Sequence, residues 1–142
     1  MLDTIYSQIG TALTLIVCAF AFWKGGRIEQ WGAGAVLLAQ ALTILLQDNI
    51  ADEPLLLASA IMDGALLTAL AVLAWRSDHG WPSWAAACQA IAVAVHVTKL
   101  VDFRIVSFAY SSALNLSFYG VLVALGVGTF FAWREREALR PG

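Results

Sequence analysis

Leu55 to Trp75 reads LLLASAIMDGALLTALAVLAW, an unbroken apolar run whose one charge, Asp63, lies near its middle. A helix needs ~20 mostly apolar residues to cross the ~30 Å hydrocarbon core of a bilayer. Inside lipid a backbone must bond to itself, so a helix is the expected form. The ~10-residue alternation of a transmembrane barrel strand is absent. This stretch therefore predicts a membrane span, and Asp63 becomes its most informative residue.

Four further stretches have the same character: Ile5–Trp23, Trp31–Leu46, Trp84–Val101 and Ser112–Trp133. Turn chemistry separates them. Lys24-Gly25-Gly26-Arg27 follows the first, and Gln47-Asp48-Asn49 with Asp52-Glu53-Pro54 divides the second from the third. Arg76-Ser77-Asp78-His79-Gly80-Trp81-Pro82 precedes the fourth. Gly and Pro after a helical run are stop signals. The segment 102–111, DFRIVSFAYS, is too polar for a span and reads as an amphipathic turn in the membrane interface. The first stretch lacks a positive leader and a small-residue cleavage site, so it is expected to remain as a span.

The composition agrees. The chain has 142 residues, of which 61% are hydrophobic and 13% charged. Ordinary globular chains run near 45–50% and 25%. A soluble enzyme and a disordered chain are excluded on that ground. The net charge of −2 offers no basic patch for nucleic acid. Two cysteines, Cys18 and Cys88, make no disulfide framework. The expected fold is an all-α integral membrane protein, a bundle of five transmembrane helices in a single polytopic domain over 1–142.

Five spans place the termini on opposite sides. One side holds Lys24, Arg27, Arg76, Arg134, Arg136 and Arg140; the other holds Lys99 and Arg104. The positive-inside rule puts the first set in the cytoplasm and the N-terminus outside, on the periplasmic face of an inner membrane. All six tryptophans (Trp23, Trp31, Trp75, Trp81, Trp84, Trp133) fall at the cytoplasmic end under this threading. Tryptophan favours the interface, so the two signals agree.

Helix direction converts position into depth at ~1.5 Å per residue. Gln8 and Thr11, Thr43 and Gln47, Asp63, His96 and Lys99, and Asn115 and Tyr119 all fall in the outer half. The inner half is Ala, Leu, Val, Phe and Gly almost throughout. Asp63, His96, Lys99, Gln47, Gln8, Asn115 and Tyr119 are the candidate ligand or proton-site residues, around a polar pocket open to the outside. A carboxylate at that depth costs several kcal/mol unless paired, protonated or hydrated. Asp63 reads either as a proton relay or a counter-ion for a cationic ligand, or as a protonated acid or structural pair with Lys99 or His96 that locks the third helix to the fourth. His96 reads either as a titrating group or as a neutral hydrogen-bonding bridge. Lys99 reads as snorkelling to headgroups, or as pairing with Asp102 at i+3. Gln40, Gln47, Gln89 and Asn115 read as interhelical glue.

No metal or catalytic motif accompanies these residues. Clustered ligands at metal spacing are missing, as are Cys-x-x-Cys, a nucleophile elbow and a phosphate loop. No cofactor is expected; haem at His96 would need a second copy from a homodimer. Gly64, Ala90, Ala94, Gly120, Ala124 and Gly128 stand at small-x-x-x-small spacing and are expected at helix contacts, within the chain, with itself or with another membrane subunit. The leading function is a non-catalytic accessory subunit or small-ligand-binding module. Alternatives are a proton-coupled or facilitative transporter of a small solute working as an oligomer, an enzyme acting on a lipid or isoprenoid, and a phage-type pore former. Expected partners are the lipid bilayer, a membrane subunit, and a small molecule or lipid.

Overall fold

The computed structural model describes residues 2–49 and 52–141. It holds five helices: α1 (Leu2–Lys24), α2 (Arg27–Asn49), α3 (Asp52–Arg76), α4 (Trp81–Val101) and α5 (Ser107–Leu139). Four contain stretches long and apolar enough to cross a membrane: Arg27–Leu46, Leu56–Arg76, Trp81–Val101 and Ser107–Leu139. The apolar helix within α1, Gln8–Lys24, is shorter.

Each helix packs on the next in sequence, and α5 packs on α1 to close a ring. Helix α2 also touches α5 across it. One end of the ring holds the α1–α2 and α3–α4 turns and the C-terminus of α5; this is the tryptophan-rich end. The other holds the C-terminus of α2, the N-terminus of α3 and the α4–α5 loop, and is by sequence the acidic end.

Two helix starts lie earlier than the apolar pattern suggests. Helix α4 opens at Trp81 with Pro82 in its first turn. Proline is tolerated there because its missing N–H would have had no helical partner. Helix α5 opens at Ser107, so only 102–106 of the polar segment is a loop. Within that loop the Arg104 N–H donates to Asp102 Oδ1 at 2.9 Å. Asp102 is thereby used by its own backbone turn.

The turn between α1 and α2 is two glycines long. The Gly25 N–H donates to Ala21 O at 2.8 Å and closes α1. A Cβ on Gly25 would collide with Ala21 O and with Glu29 Cβ, so close approach of two helix ends requires glycine there. Glu29 is the third residue of α2, and its Oε2 accepts the Gly26 N–H at 2.9 Å. This is the carboxylate half of a capping box.

The core is strongly asymmetric along the bundle. At the tryptophan-rich end, Ala21, Glu29, Ala33, Trp81, Ala85, Gly128 and Ala132 are buried. The Trp81 indole lies across the ring between Gly32 and Gly128, where a Cβ on either would overlap it. In lipid the tails are as apolar as leucine, so such an interior is stabilised by close van der Waals contact, which small residues permit. Toward the acidic end the packing loosens. No described side chain is buried before Thr14 in α1, after Val36 in α2, before Leu66 in α3 or before Ser117 in α5. Only α4 carries burial into that half, through Ala92 and His96.

Candidate functional site

Helix α4 buries a single stripe: Trp81, Ala85, Gln89, Ala92 and His96. The spacing of about seven residues brings Gln89 and His96 onto one face, two turns apart. Both reach the same carboxylate on α3. Gln89 Nε2 donates to Asp63 Oδ1 at 2.9 Å and to the Asp63 backbone carbonyl at 3.2 Å. His96 Nε2 stands 2.7 Å from Asp63 Oδ2. On the far side of the imidazole, the Tyr110 hydroxyl from α5 stands 2.7 Å from Nδ1.

A continuous chain therefore runs Gln89–Asp63–His96–Tyr110 through three helices. With Asp63 ionised, its Oδ2 accepts the Nε2–H and fixes the tautomer, leaving Nδ1 to accept the tyrosine O–H. All imidazole valences are then satisfied without charge on the ring. His96 is 2% exposed, whereas the Asp63 side chain is 29% exposed. The carboxylate is the accessible member, and it lies in the half where the core is loose.

Lys99 does not join this chain. Its Nζ donates to Ile105 O at 2.6 Å and reaches Phe103 O at 3.4 Å. Asp102, the local partner expected at i+3, is engaged by Arg104 N–H instead. The lysine ties the 102–106 loop back to α4, and its Nζ lies 5.8 Å from the Tyr110 ring centroid.

The other expected site residues are dispersed. Tyr119 is half-buried, with its hydroxyl beside Gly10 of α1. Gln8 and Asn115 are exposed. Gln47 lies outside the residues whose side chains the structure describes. Among the small residues, Gly120 faces Cys88 of α4, and Ala124 and Gly128 are buried. Nothing lies within 4 Å of a Cβ placed on Gly64, and Ala90 and Ala94 are exposed.

A second polar group stands at the tryptophan-rich end. Glu29 is 1% exposed and accepts the Trp81 Nε1–H at 2.9 Å on Oε1. His79 Nε2 lies 3.8 Å from the same oxygen. A cleft of about 160 Å³ opens beside them, lined among others by Gly26, Glu29, His79 and Arg136. A broader one of about 480 Å³ lies along Arg27, Gln30 and Trp31. Among the described residues, no group of three or more His, Cys, Asp or Glu could hold a metal ion.

Tyr110 and Glu29 are the two participants that the sequence pattern leaves out. Tyr110 falls in a polar stretch that reads as interfacial. The capping-box spacing of Gly26 and Glu29 is the signal that could have pointed to Glu29. Set beside protein-family models, curated proteins and solved structures, the chain matches none of them.

Proposed function

We propose that the chain is a five-span protein of an inner membrane and serves as a non-catalytic module that binds a small ligand. The N-terminus and the acidic end face the periplasm, and the tryptophan-rich end faces the cytoplasm. The six-to-two division of Lys and Arg supports this orientation. Helix α1 is the fifth span, its apolar core extended by the half-polar turns before Gln8.

One observation carries the ligand-binding reading. The partly exposed Asp63 carboxylate is held by Gln89 and His96 in the half of the bundle where few described side chains are buried. An intramembrane carboxylate is costly unless partnered. A carboxylate meant only to lock α3 to α4 would be sealed, as Glu29 is at the other end. Asp63 is held firmly from one side and left accessible from the other, as a preformed ligand contact requires.

A second reading, an accessory subunit, is favoured by the exposure of Ala90 and Ala94 on α4. Small residues on an outer face admit the close approach of a partner helix. Transport draws less support, because the Trp81 plug and the packed glycines close the cytoplasmic end.

The deciding experiment is extraction into nanodiscs from native membranes, followed by native mass spectrometry. The chain should carry a small mass that Asp63→Asn loses. Wild-type protein that is consistently bare would sink the ligand reading, and stoichiometric recovery with another membrane chain would replace it with the subunit reading. A reporter active only outside the cytoplasm should be silent when fused after Arg140; activity there would reverse the orientation.

A further inference from the structure

We infer that the Asp63 site takes a small organic cation, a protonated amine or quaternary ammonium, entering from the acidic end. This rests on the ligand-binding reading and adds the class of ligand.

The first ground is the charge on the site. Among the described residues, the only ion-pair partner within reach of Asp63 is His96, which is fully satisfied while neutral. The nearest fixed cation on α4, Lys99, is spent on the carbonyls of Ile105 and Phe103. Both hydrogen bonds to the carboxylate come from α4, one on each oxygen, and each oxygen keeps a further acceptor site.

The second ground is the use of the donors around the carboxylate. Gln89 Nε2 spends its hydrogens on the Asp63 carboxylate and carbonyl. Tyr110, donating to His96 Nδ1, keeps only acceptor lone pairs. The groups bonded into this chain have no hydrogen left over, so a ligand at Asp63 has to bring its own donor.

The third ground lies at the mouth. By sequence that end carries Asp3, Asp48, Asp52, Glu53 and Asp102 against Lys99 and Arg104. Such an excess raises the local concentration of cations and repels anions. An anionic ligand would meet repulsion there.

The test uses the full chain in phosphatidylcholine nanodiscs, with empty discs as the blank for partitioning. Benzylammonium, benzyl alcohol and benzoate, alike in shape, are titrated calorimetrically. Benzylammonium should bind saturably and about tenfold or more tighter than the alcohol, as a charge-assisted contact implies. Asp63→Asn should abolish that preference and Asp63→Glu should retain it. Alcohol or benzoate binding as well as the amine would overturn the cation assignment while leaving a ligand-binding module. No saturable binding of the amine would also overturn it. The native-mass experiment then judges the ligand reading on its own terms. If Asp63→Asn fails to fold, the ranking of the three probes on wild-type protein still decides.

Discussion

Trp81 Nε1 donates to Glu29 Oε1 at 2.9 Å, joining residues 52 positions apart and tying the start of α4 to the first turn of α2. The same carboxylate caps Gly26 N–H through its other oxygen. One buried side chain thus satisfies a helix start and anchors the aromatic plug of the bundle. Glu29→Ala strands the indole N–H and the Gly26 N–H together. Each stranded buried donor costs about 1–3 kcal/mol. The expected loss is about 2–4 kcal/mol in detergent unfolding, against roughly 1 kcal/mol or less for Glu29→Gln, which keeps a carbonyl acceptor. Equal losses for the two variants would show that the acceptor is not what matters.

The glycines separate into two groups by what surrounds them. A Cβ at Gly120 would lie 2.7 Å from Cys88 Sγ, and one at Gly128 would run into the Trp81 indole. Around Gly64 there is nothing within 4 Å. Overpacking costs about 1–3 kcal/mol, whereas alanine for glycine in a helix interior gains about 0.5–1 kcal/mol. Gly128→Ala and Gly120→Ala should therefore lower the melting temperature, and Gly64→Ala should hold or raise it. Spacing alone puts Gly64 and Gly120 in one class, and a Gly64→Ala variant as unstable as Gly128→Ala would contradict the separation.

The bundle was legible to this extent for physical reasons. Apolar length sets a helix in lipid whatever its neighbours, so Leu55–Trp75 announces itself. An ionisable residue in such a run is rare enough that Asp63 and His96 are picked out before their contact is known. Which partner Asp63 takes depends on helix rotation, and composition does not encode rotation when the faces of these apolar helices differ so little in polarity. Tyr110 was hidden because its stretch is polar, and the loop that delivers it is bent by Asp102 and Lys99. Trp81 shares its sequence signature with Trp23 and Trp84, yet those two are exposed and Trp81 is buried. The distinction rests on Gly32 and Gly128, which come from other helices.

The network at Asp63 should show energetic coupling that the loop lysine does not share. In a double-mutant cycle, Asp63→Asn and His96→Gln should be non-additive by roughly 0.5–2 kcal/mol, the range for interhelical hydrogen bonds in lipid. Asp63→Asn with Lys99→Met should be additive within about 0.5 kcal/mol, since the two share no bond. Tyr110→Phe removes only the hydroxyl on Nδ1 and should cost about 1 kcal/mol. Strong coupling of Asp63 to Lys99 would mean that the lysine leaves the loop carbonyls for the carboxylate.

Lys99 gives the last prediction, because its role is confined to one loop. Its Nζ holds Ile105 O at 2.6 Å, and 102–106 is the only non-helical run between α4 and α5. Backbone carbonyls freed at a membrane surface are readily hydrated, so Lys99→Met should leave the global unfolding free energy within about 1 kcal/mol of wild type. Locally the loss should be visible as faster hydrogen exchange at 103–107, since opening there no longer breaks the lysine contacts. Exchange at Gly26–Gln30, at the opposite end, should be unchanged and serves as the internal reference. Unaltered exchange at 103–107 would show that the loop holds its shape without the lysine and that Asp102 alone sets the turn.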